Sequence, residues 1–180
     1  MPRNGRASLD DIVASYIREV RPAALAEQLF YEQQLSFDSV VMVAALSKNA
    51  DGKRHSHQRR IPGPSLAEAH NRLRFAPLAE CESFDDLHGL VRSATSGIPK
   101  IGALAVYDIA HRIGAHLKLY PAKVYLHCGT RVGARWLGFR RRDTLDVCEL
   151  PVPFHQLSAA ENEDCLCIYK DEIRKAVDPG

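Results

Sequence analysis

Cationic side chains are concentrated in one acid-free segment of eight residues. Its sequence is Lys53-Arg54-His55-Ser56-His57-Gln58-Arg59-Arg60. Guanidinium groups pair bidentately with phosphate, and neutralised phosphates supply much of the affinity of proteins for nucleic acid. Glycine and proline within residues 50–64 predict a loop, and such a loop can follow a phosphate backbone through Arg54, Arg59 and Arg60. The alternative is a mobile loop whose charges serve only solubility.

A second group of interest is the short turn of residues 97–102, which reads Gly97-Ile98-Pro99-Lys100-Ile101-Gly102. Backbone N–H groups at the start of the following helix attract anions, and glycine lets the backbone approach a phosphate closely. We therefore expect Gly97, Lys100 and Gly102 to contact the sugar-phosphate backbone, without reading base sequence. The alternative is a purely structural turn between two antiparallel helices.

A third group of cations follows further along the chain. Its members are Arg131, Arg135, Arg140, Arg141 and Arg142. Arg131 and Arg135 are four residues apart and share a helix face, so they are predicted to extend the positive surface. Trp136 and Phe139 lie among them and could stack on a base, although a tryptophan beside an apolar neighbour is more often part of a core.

The histidines and cysteines give little indication of a metal site or a catalytic site. His111 and His116 are five apart, which points them to different sides of a helix and disfavours a metal pair. His55 and His57 have no third ligand nearby, so no metal site and no cofactor are predicted. The five cysteines form no CxxC pair and are predicted to be buried, reduced thiols, at positions 81, 128, 148, 165 and 167. Catalytic residues stay unassigned.

Charge is distributed unevenly although the net charge is only +2. Residues 87–142 carry ten basic side chains and one acid, whereas residues 143–180 carry three basic and nine acidic side chains. This asymmetry favours a surface that faces a polyanion in the middle of the chain. The alternative is that the acidic tail folds back onto the basic region.

Helical periodicity and capping residues predict an all-α fold in a single domain, 1–180. Serine caps followed by an acid are predicted at Ser8, Ser65, Ser83 and Ser158. The predicted helices span 9–20, 22–30, 37–46, 65–75, 83–95, 103–119, 129–137 and 157–176. Within the domain we distinguish N-terminal helices (1–80) with the basic loop 50–64, a basic region (81–142), and an irregular connector with an acidic helix (143–180). Residues 123–127 are the only weak strand candidate.

The turn and its flanking helices resemble the helix-hairpin-helix element, whose core reads apolar-Pro-Gly-apolar-Gly before a helix. The resemblance covers about residues 84–117, and Lys100 replaces the first glycine of the pattern. The matching positions are Ile98, Pro99, Ile101 and Gly102. The resemblance implies a compact, orthogonal bundle of helices that contains this element. It also implies that the protein binds DNA by contacts to the sugar-phosphate backbone of the DNA.

The resemblance extends to the DNA glycosylases built on this element. Their catalytic lysine lies just after the turn, where this chain has Leu104, so their lyase chemistry is not expected. The segment that begins at Asp108 is similar to their aspartate segment but follows the turn too soon. Asp108 is therefore interpreted as a helix acid paired with Arg112, four residues later.

These features predict a non-catalytic DNA-binding protein that contacts the phosphate backbone with little sequence preference. The alternatives are a nucleic-acid-processing enzyme of glycosylase-like fold and a protein-interaction module. DNA is favoured over RNA as the partner, and the oligomeric state stays open. The sequence has neither a membrane-length apolar stretch nor an apolar secretion signal, so a cytoplasmic protein without a membrane partner is expected.

Overall fold

The fold is mostly helical. The computed structural model describes residues 7–177, and within that range it contains nine α-helices and one two-stranded sheet. In chain order the elements are α1 (Leu9–Glu19), α2 (Arg21–Glu32), α3 (Phe37–Ala45), α4 (Gly63–Leu73), α5 (Phe84–Ala94), α6 (Ala103–Leu117), β1 (Val124–Tyr125), α7 (Cys128–Trp136), β2 (Thr144–Leu145), α8 (Ala159–Ile168) and α9 (Lys170–Val177). The prediction of a mainly helical fold is confirmed; the helix-hairpin-helix assignment stays a prediction.

The chain divides into two compact units. One unit combines Met1–Ala23 with Ala122–Gly180, and the other is the continuous segment Ala24–Pro121. The division falls inside α2, so most of that helix belongs to the continuous unit. Among the described residues, no helix is both long and apolar enough to cross a lipid bilayer.

Serine caps define several helix ends as predicted. The Ser8 hydroxyl accepts a hydrogen bond from the Asp11 backbone N–H, and the Asp11 carboxylate accepts one from the Ser8 N–H. Ser158 forms the same reciprocal arrangement with Glu161 at the start of α8. Such caps satisfy N–H groups that have no acceptor within the helix.

The predicted cap at Ser65 is wrong. Helix α4 begins two residues earlier, at Gly63, with Pro62 in the capping position and Pro64 in the first turn. Proline is favoured in the first turn because its fixed φ angle suits the helix and it lacks an N–H to satisfy. Ser65 is buried inside the helix instead.

Two further elements differ from the sequence-based expectation. The region 138–156, predicted as an irregular connector, contains β2, which pairs antiparallel with β1 in the register Val124↔Leu145. The terminal helix predicted over 157–176 is interrupted at Tyr169, which separates α8 from α9. Neither proline nor glycine marks this break, so the usual local signals for a helix end do not predict it.

The unit of residues 24–121 positions the predicted hairpin. Phe84, Leu87 and Val91 form the buried face of α5. The Phe84 and Tyr107 rings meet edge to face with centroids 5.8 Å apart, which packs α5 against α6. Helix α6 in turn buries both Ile109 and Ile113, so the two helices that flank the turn are held by apolar contact.

The other unit has its own core. Its fully buried centre includes Tyr16 of α1, Phe154 of a short 3₁₀-helix, and Leu166 of α8. Gly133 of α7 lies against the Leu166 backbone so closely that a methyl group there would clash. Trp136 is half-buried and packs against this core, which favours the structural interpretation of that residue.

Candidate functional site

The turn of residues 97–102 is open to solvent. Lys100 and Gly102 are exposed, whereas Ile98 beside them is 5% exposed and anchors the turn in the unit. Gly102 occupies the capping position of α6 with extended backbone, and no side chain caps this helix. The amide end of α6 is therefore accessible to an anion from outside.

Lys100 adopts an unusual backbone conformation. Its φ angle is +67°, in the left-handed region that favours glycine, and Gly97 before it has φ +75°. Lys100 is the position at which the helix-hairpin-helix pattern has a glycine. Lys100 therefore holds a backbone conformation that a glycine would adopt more readily.

Arg72 of α4 braces the segment that leads into the turn. Its guanidinium donates to the Ser96 carbonyl at 3.0 Å and to the Ala94 carbonyl at 3.5 Å. Its Nε donates to Glu68 one turn earlier, at 2.8 Å. These bonds satisfy carbonyl groups at the C-terminal end of α5 and fix α4 beside it.

A cluster of polar side chains lies in the same unit and joins the basic segment, residues 53–60, to α6. Asp108 Oδ2 is 2.9 Å from His57 Nε2, and it accepts a hydrogen bond from Gln58 Nε2 at 2.5 Å. Its expected partner, Arg112, is also present, at 3.9 Å. The stronger contacts of Asp108 therefore reach the basic segment, 50 and 51 residues away in sequence.

Gln58 and Arg112 form the buried part of this cluster. Both are under 5% exposed as whole residues, and Arg112 donates to Gln58 Oε1 at 2.9 Å. The Ser47 hydroxyl donates to the same oxygen. Because each polar group has a partner, the cluster can be buried without the cost of an unsatisfied donor or acceptor.

Glu27 and His55 complete the cluster on the side of α2. Glu27 Oε1 is 3.3 Å from His55 Nε2 and 4.0 Å from Arg112 Nε. The Tyr31 hydroxyl donates to the Lys48 carbonyl at 2.8 Å and also lies 2.8 Å from His55 Nε2. Since the hydroxyl has a single proton, His55 Nε2 must carry its own proton and donate.

Burial sets the charge states of these two groups. It lowers the pKa of His55 to about 4, and the nearby Arg112 guanidinium acts in the same direction. It raises the pKa of Glu27, although Arg112 opposes this shift. At neutral pH, His55 is a neutral hydrogen-bond donor, and Glu27 holds a proton more readily than an exposed glutamate.

The cationic side chains of the basic segment differ in solvent exposure and in hydrogen bonding. Lys53, Arg59 and Arg60 are exposed. Arg54 is half-buried and donates to the Ile61 carbonyl at 2.9 Å, so it is used within the loop. The segment is held in place by Gln58, which argues against the interpretation as a mobile loop.

The arginines predicted after residue 130 lie in the other unit, and some are paired with acids. Arg131 donates to Asp143 at 2.9 Å and to the Leu126 carbonyl at 2.9 Å. Arg142 bonds Glu149 at 3.0 Å. Arg135, Arg140 and Arg141 are exposed. The ion pairs of Arg131 and Arg142 favour, for these two arginines, the alternative that the acidic stretch neutralises the basic region.

His111 of α6 is half-buried, whereas His127, in the capping position of α7, is buried. The His111 ring stacks on Tyr107 with centroids 5.7 Å apart, and burial lowers its pKa to about 4. In the other unit, His127 Nε2 is 3.5 Å from Glu163 Oε1, which also accepts a 2.5 Å hydrogen bond from Thr130. No spacing rule predicts this contact of Glu163, because Glu163 lies in α8, whereas Thr130 lies in α7 and His127 caps that helix.

The cysteines are free, but they are not uniformly buried. Cys165 is buried, whereas Cys128 and Cys148 are exposed, so the prediction of buried thiols is wrong for these two. Cys128 begins α7 with φ +36°. Within the described part of the chain, no group of three or more histidine, cysteine or carboxylate side chains could hold a metal ion.

Comparison with known proteins gives no relative for this chain. No family model, no curated protein and no solved structure matches it.

Proposed function

We propose that this protein binds DNA through the turn of residues 97–102, by contacts to the phosphate backbone that are largely independent of sequence. The observation that carries the proposal is the uncapped, solvent-exposed start of α6 beside Lys100. A phosphate placed there would meet backbone N–H groups, the positive end of the helix dipole and a lysine charge.

The surroundings of the turn support this role. Arg92 in the last turn of α5 is exposed and adds positive charge near the turn. Asp108 is the only acid between residues 87 and 142, and it is engaged by His57 and Gln58. Repulsion of a phosphate by nearby carboxylates on this stretch of chain is therefore small.

Binding of the full chain to fluorescein-labelled duplex DNA tests the proposal, with anisotropy measured across a range of salt concentrations. We expect affinity to fall steeply with salt and to vary little between unrelated sequences. Lys100→Glu should weaken binding by roughly tenfold or more, since it removes one phosphate contact and introduces repulsion.

Lys175→Glu in α9 is the matched control, because it makes the same charge change at another exposed lysine. A general effect of net charge would weaken both variants equally. Equal weakening, or duplex affinity that is insensitive to Lys100→Glu, would contradict the assignment of this turn.

A further inference from the structure

The unit of residues 24–121 also holds two half-exposed side chains capable of proton transfer. The His57 side chain is 46% exposed and that of Glu27 is 44% exposed. Both belong to the polar cluster described above, and neither is used by the turn that we assign to DNA. A histidine and a carboxylic acid that contact buried polar groups on one side and solvent on the other are suited to general acid–base catalysis.

Asp108 orients His57. The 2.9 Å contact between Asp108 Oδ2 and His57 Nε2 fixes one ring nitrogen against the carboxylate, which leaves Nδ1 on the opposite side of the ring. Gln58 donates to the same carboxylate oxygen and holds it in place. A carboxylate that fixes the tautomer of a histidine prepares its other nitrogen to accept a proton.

Glu27 has the environment of a proton donor. Its carboxyl group lies against His55 and Arg112 and is partly withdrawn from water, so its pKa is raised by burial. The His55 ring contacts Glu27 at 3.3 Å, and its centroid lies 5.7 Å from that of the His57 ring, so Glu27 and His57 share one local environment. A base and an acid with environments this different can divide the two proton transfers of one reaction.

The surrounding charges favour a phosphodiester as substrate. Lys53, Arg59 and Arg60 are exposed in the segment that carries His57, and no acid lies between residues 53 and 60.

RNA is the phosphodiester that fits these groups best, because it contains its own nucleophile. Its 2′-hydroxyl attacks the adjacent phosphorus, so the protein has to supply only a base, an acid and positive charge. We propose that His57 and Glu27 form an acid–base centre that cleaves RNA by transphosphorylation. This activity goes beyond the proposed DNA contact and does not depend on it.

The reaction needs no further reactant. His57 Nδ1 takes the proton of the 2′-hydroxyl as the bond from the 2′-oxygen to phosphorus forms. The bond from phosphorus to the 5′-oxygen breaks, and Glu27 gives its proton to that oxygen. The products are a 2′,3′-cyclic phosphate and a free 5′-hydroxyl; proton exchange with water then restores both side chains.

The test is incubation of the full chain with a short, end-labelled single-stranded RNA in the presence of EDTA. We expect cleavage into fragments that end in cyclic phosphate, identified by mass spectrometry, and no cleavage at a position made 2′-deoxy. His57→Gln and Glu27→Gln should each lower the rate roughly 10²- to 10⁴-fold, the usual contribution of a general acid or base. Circular dichroism confirms that each variant is folded.

Matched controls exclude a contaminating nuclease and a structural effect. Asp51→Asn changes an exposed acid of the same loop, and His70→Gln changes a histidine of α4; both should cleave like the unaltered protein. Asp108→Asn, which tests a positioning residue, should lower kcat and leave KM unchanged. Absence of cleavage by the unaltered protein, cleavage at the 2′-deoxy position, or full activity of folded His57→Gln would overturn the proposal.

A negative result in this assay would leave the duplex-binding measurements unaffected. Conversely, Lys100→Glu is expected to weaken duplex DNA binding without removing RNA cleavage. The two proposals therefore fail in separate experiments.

Discussion

Asp108 Oδ2 and His57 Nε2 lie 2.9 Å apart although the two residues are 51 positions apart in sequence. This contact, together with the bond from Gln58, ties the basic segment to α6. The cluster around it combines buried and half-exposed ionisable groups, so both the stability of the fold and its response to pH depend on it.

Acidification should destabilise the protein through His55. Its pKa is about 4 when folded and near 6.5 when unfolded, so the unfolded chain binds more protons between these values. The contribution of His55 to the free energy of unfolding is therefore fully present above pH 6.5 and is lost as the pH falls towards 4. For the full pKa shift this loss is about 3 kcal/mol. Urea unfolding at pH 7.5 and 4.5 measures the loss.

His55→Gln should flatten this pH dependence, and it provides the control. His111 shifts in the same direction and should contribute a loss of the same sign, so His111→Gln tests the remainder. Glu27 acts oppositely: its raised pKa stabilises the fold at low pH, and that contribution is lost as pH rises through the folded value. An unchanged slope in His55→Gln would contradict the prediction.

Arg112→Met should be strongly destabilising. The Arg112 side chain is 5% exposed, and its loss leaves Glu27 and Asp108 without their buried cation. Removal of one partner from a buried ionic cluster costs about 3–5 kcal/mol, and urea unfolding at neutral pH measures it.

Arg131→Met is the comparison for Arg112→Met. Arg131 pairs with Asp143, but these side chains are 49% and 96% exposed, so the loss should stay below about 1 kcal/mol. Equal losses for the two variants would show that Arg112 contributes no more than a surface ion pair.

Gly114→Ala should destabilise α6, whereas Gly89→Ala should not destabilise α5. A methyl group on Gly114 would clash with the backbone carbonyl of Leu119, which cannot move independently. We expect a loss of about 1–3 kcal/mol, typical of overpacking. Gly89 has no neighbour within 4 Å of such a methyl group, so helix propensity favours alanine by up to about 1 kcal/mol there. Thermal unfolding of both variants checks the opposite signs.

Lysine-to-glycine substitutions should have opposite effects at two positions. Lys100→Gly relieves a left-handed backbone and should be neutral or stabilising by up to about 1 kcal/mol. Lys175→Gly, in the last turn of α9, should destabilise by up to about 1 kcal/mol. Denaturant midpoints compare them, and equal losses would mean that Lys100 is not strained.

Helix starts were the part of the fold that local sequence predicts well. Ser8, Ser83 and Ser158 cap helices because a side-chain hydroxyl acts on N–H groups within three residues. The prediction at Ser65 is wrong because the same motif lies next to Pro64, which is favoured in the first turn, so that the helix begins at Gly63. Competing local signals of similar strength cannot be ranked without the tertiary contacts.

The polar cluster could not be predicted in this way. Glu27, His57 and Asp108 come from α2, the basic segment and α6, and no spacing rule connects three such distant positions. Local sequence suggests only His55 as a partner for His57 and only Arg112 as a partner for Asp108. Only the packing of the helices shows that these groups belong to one network.

The anchoring of Gln58 has a consequence for the architecture of the connection between α3 and α4. Because Gln58 is anchored to α6, the long loop between α3 and α4 is divided into two shorter loops, and each has a smaller entropic cost of closure. Extra residues inserted at the exposed bend of Asp51 and Gly52 would lengthen only the loop that precedes Gln58. The spacing between His57 and the helices would survive such an insertion, so this connection can vary in length while its chemistry stays fixed.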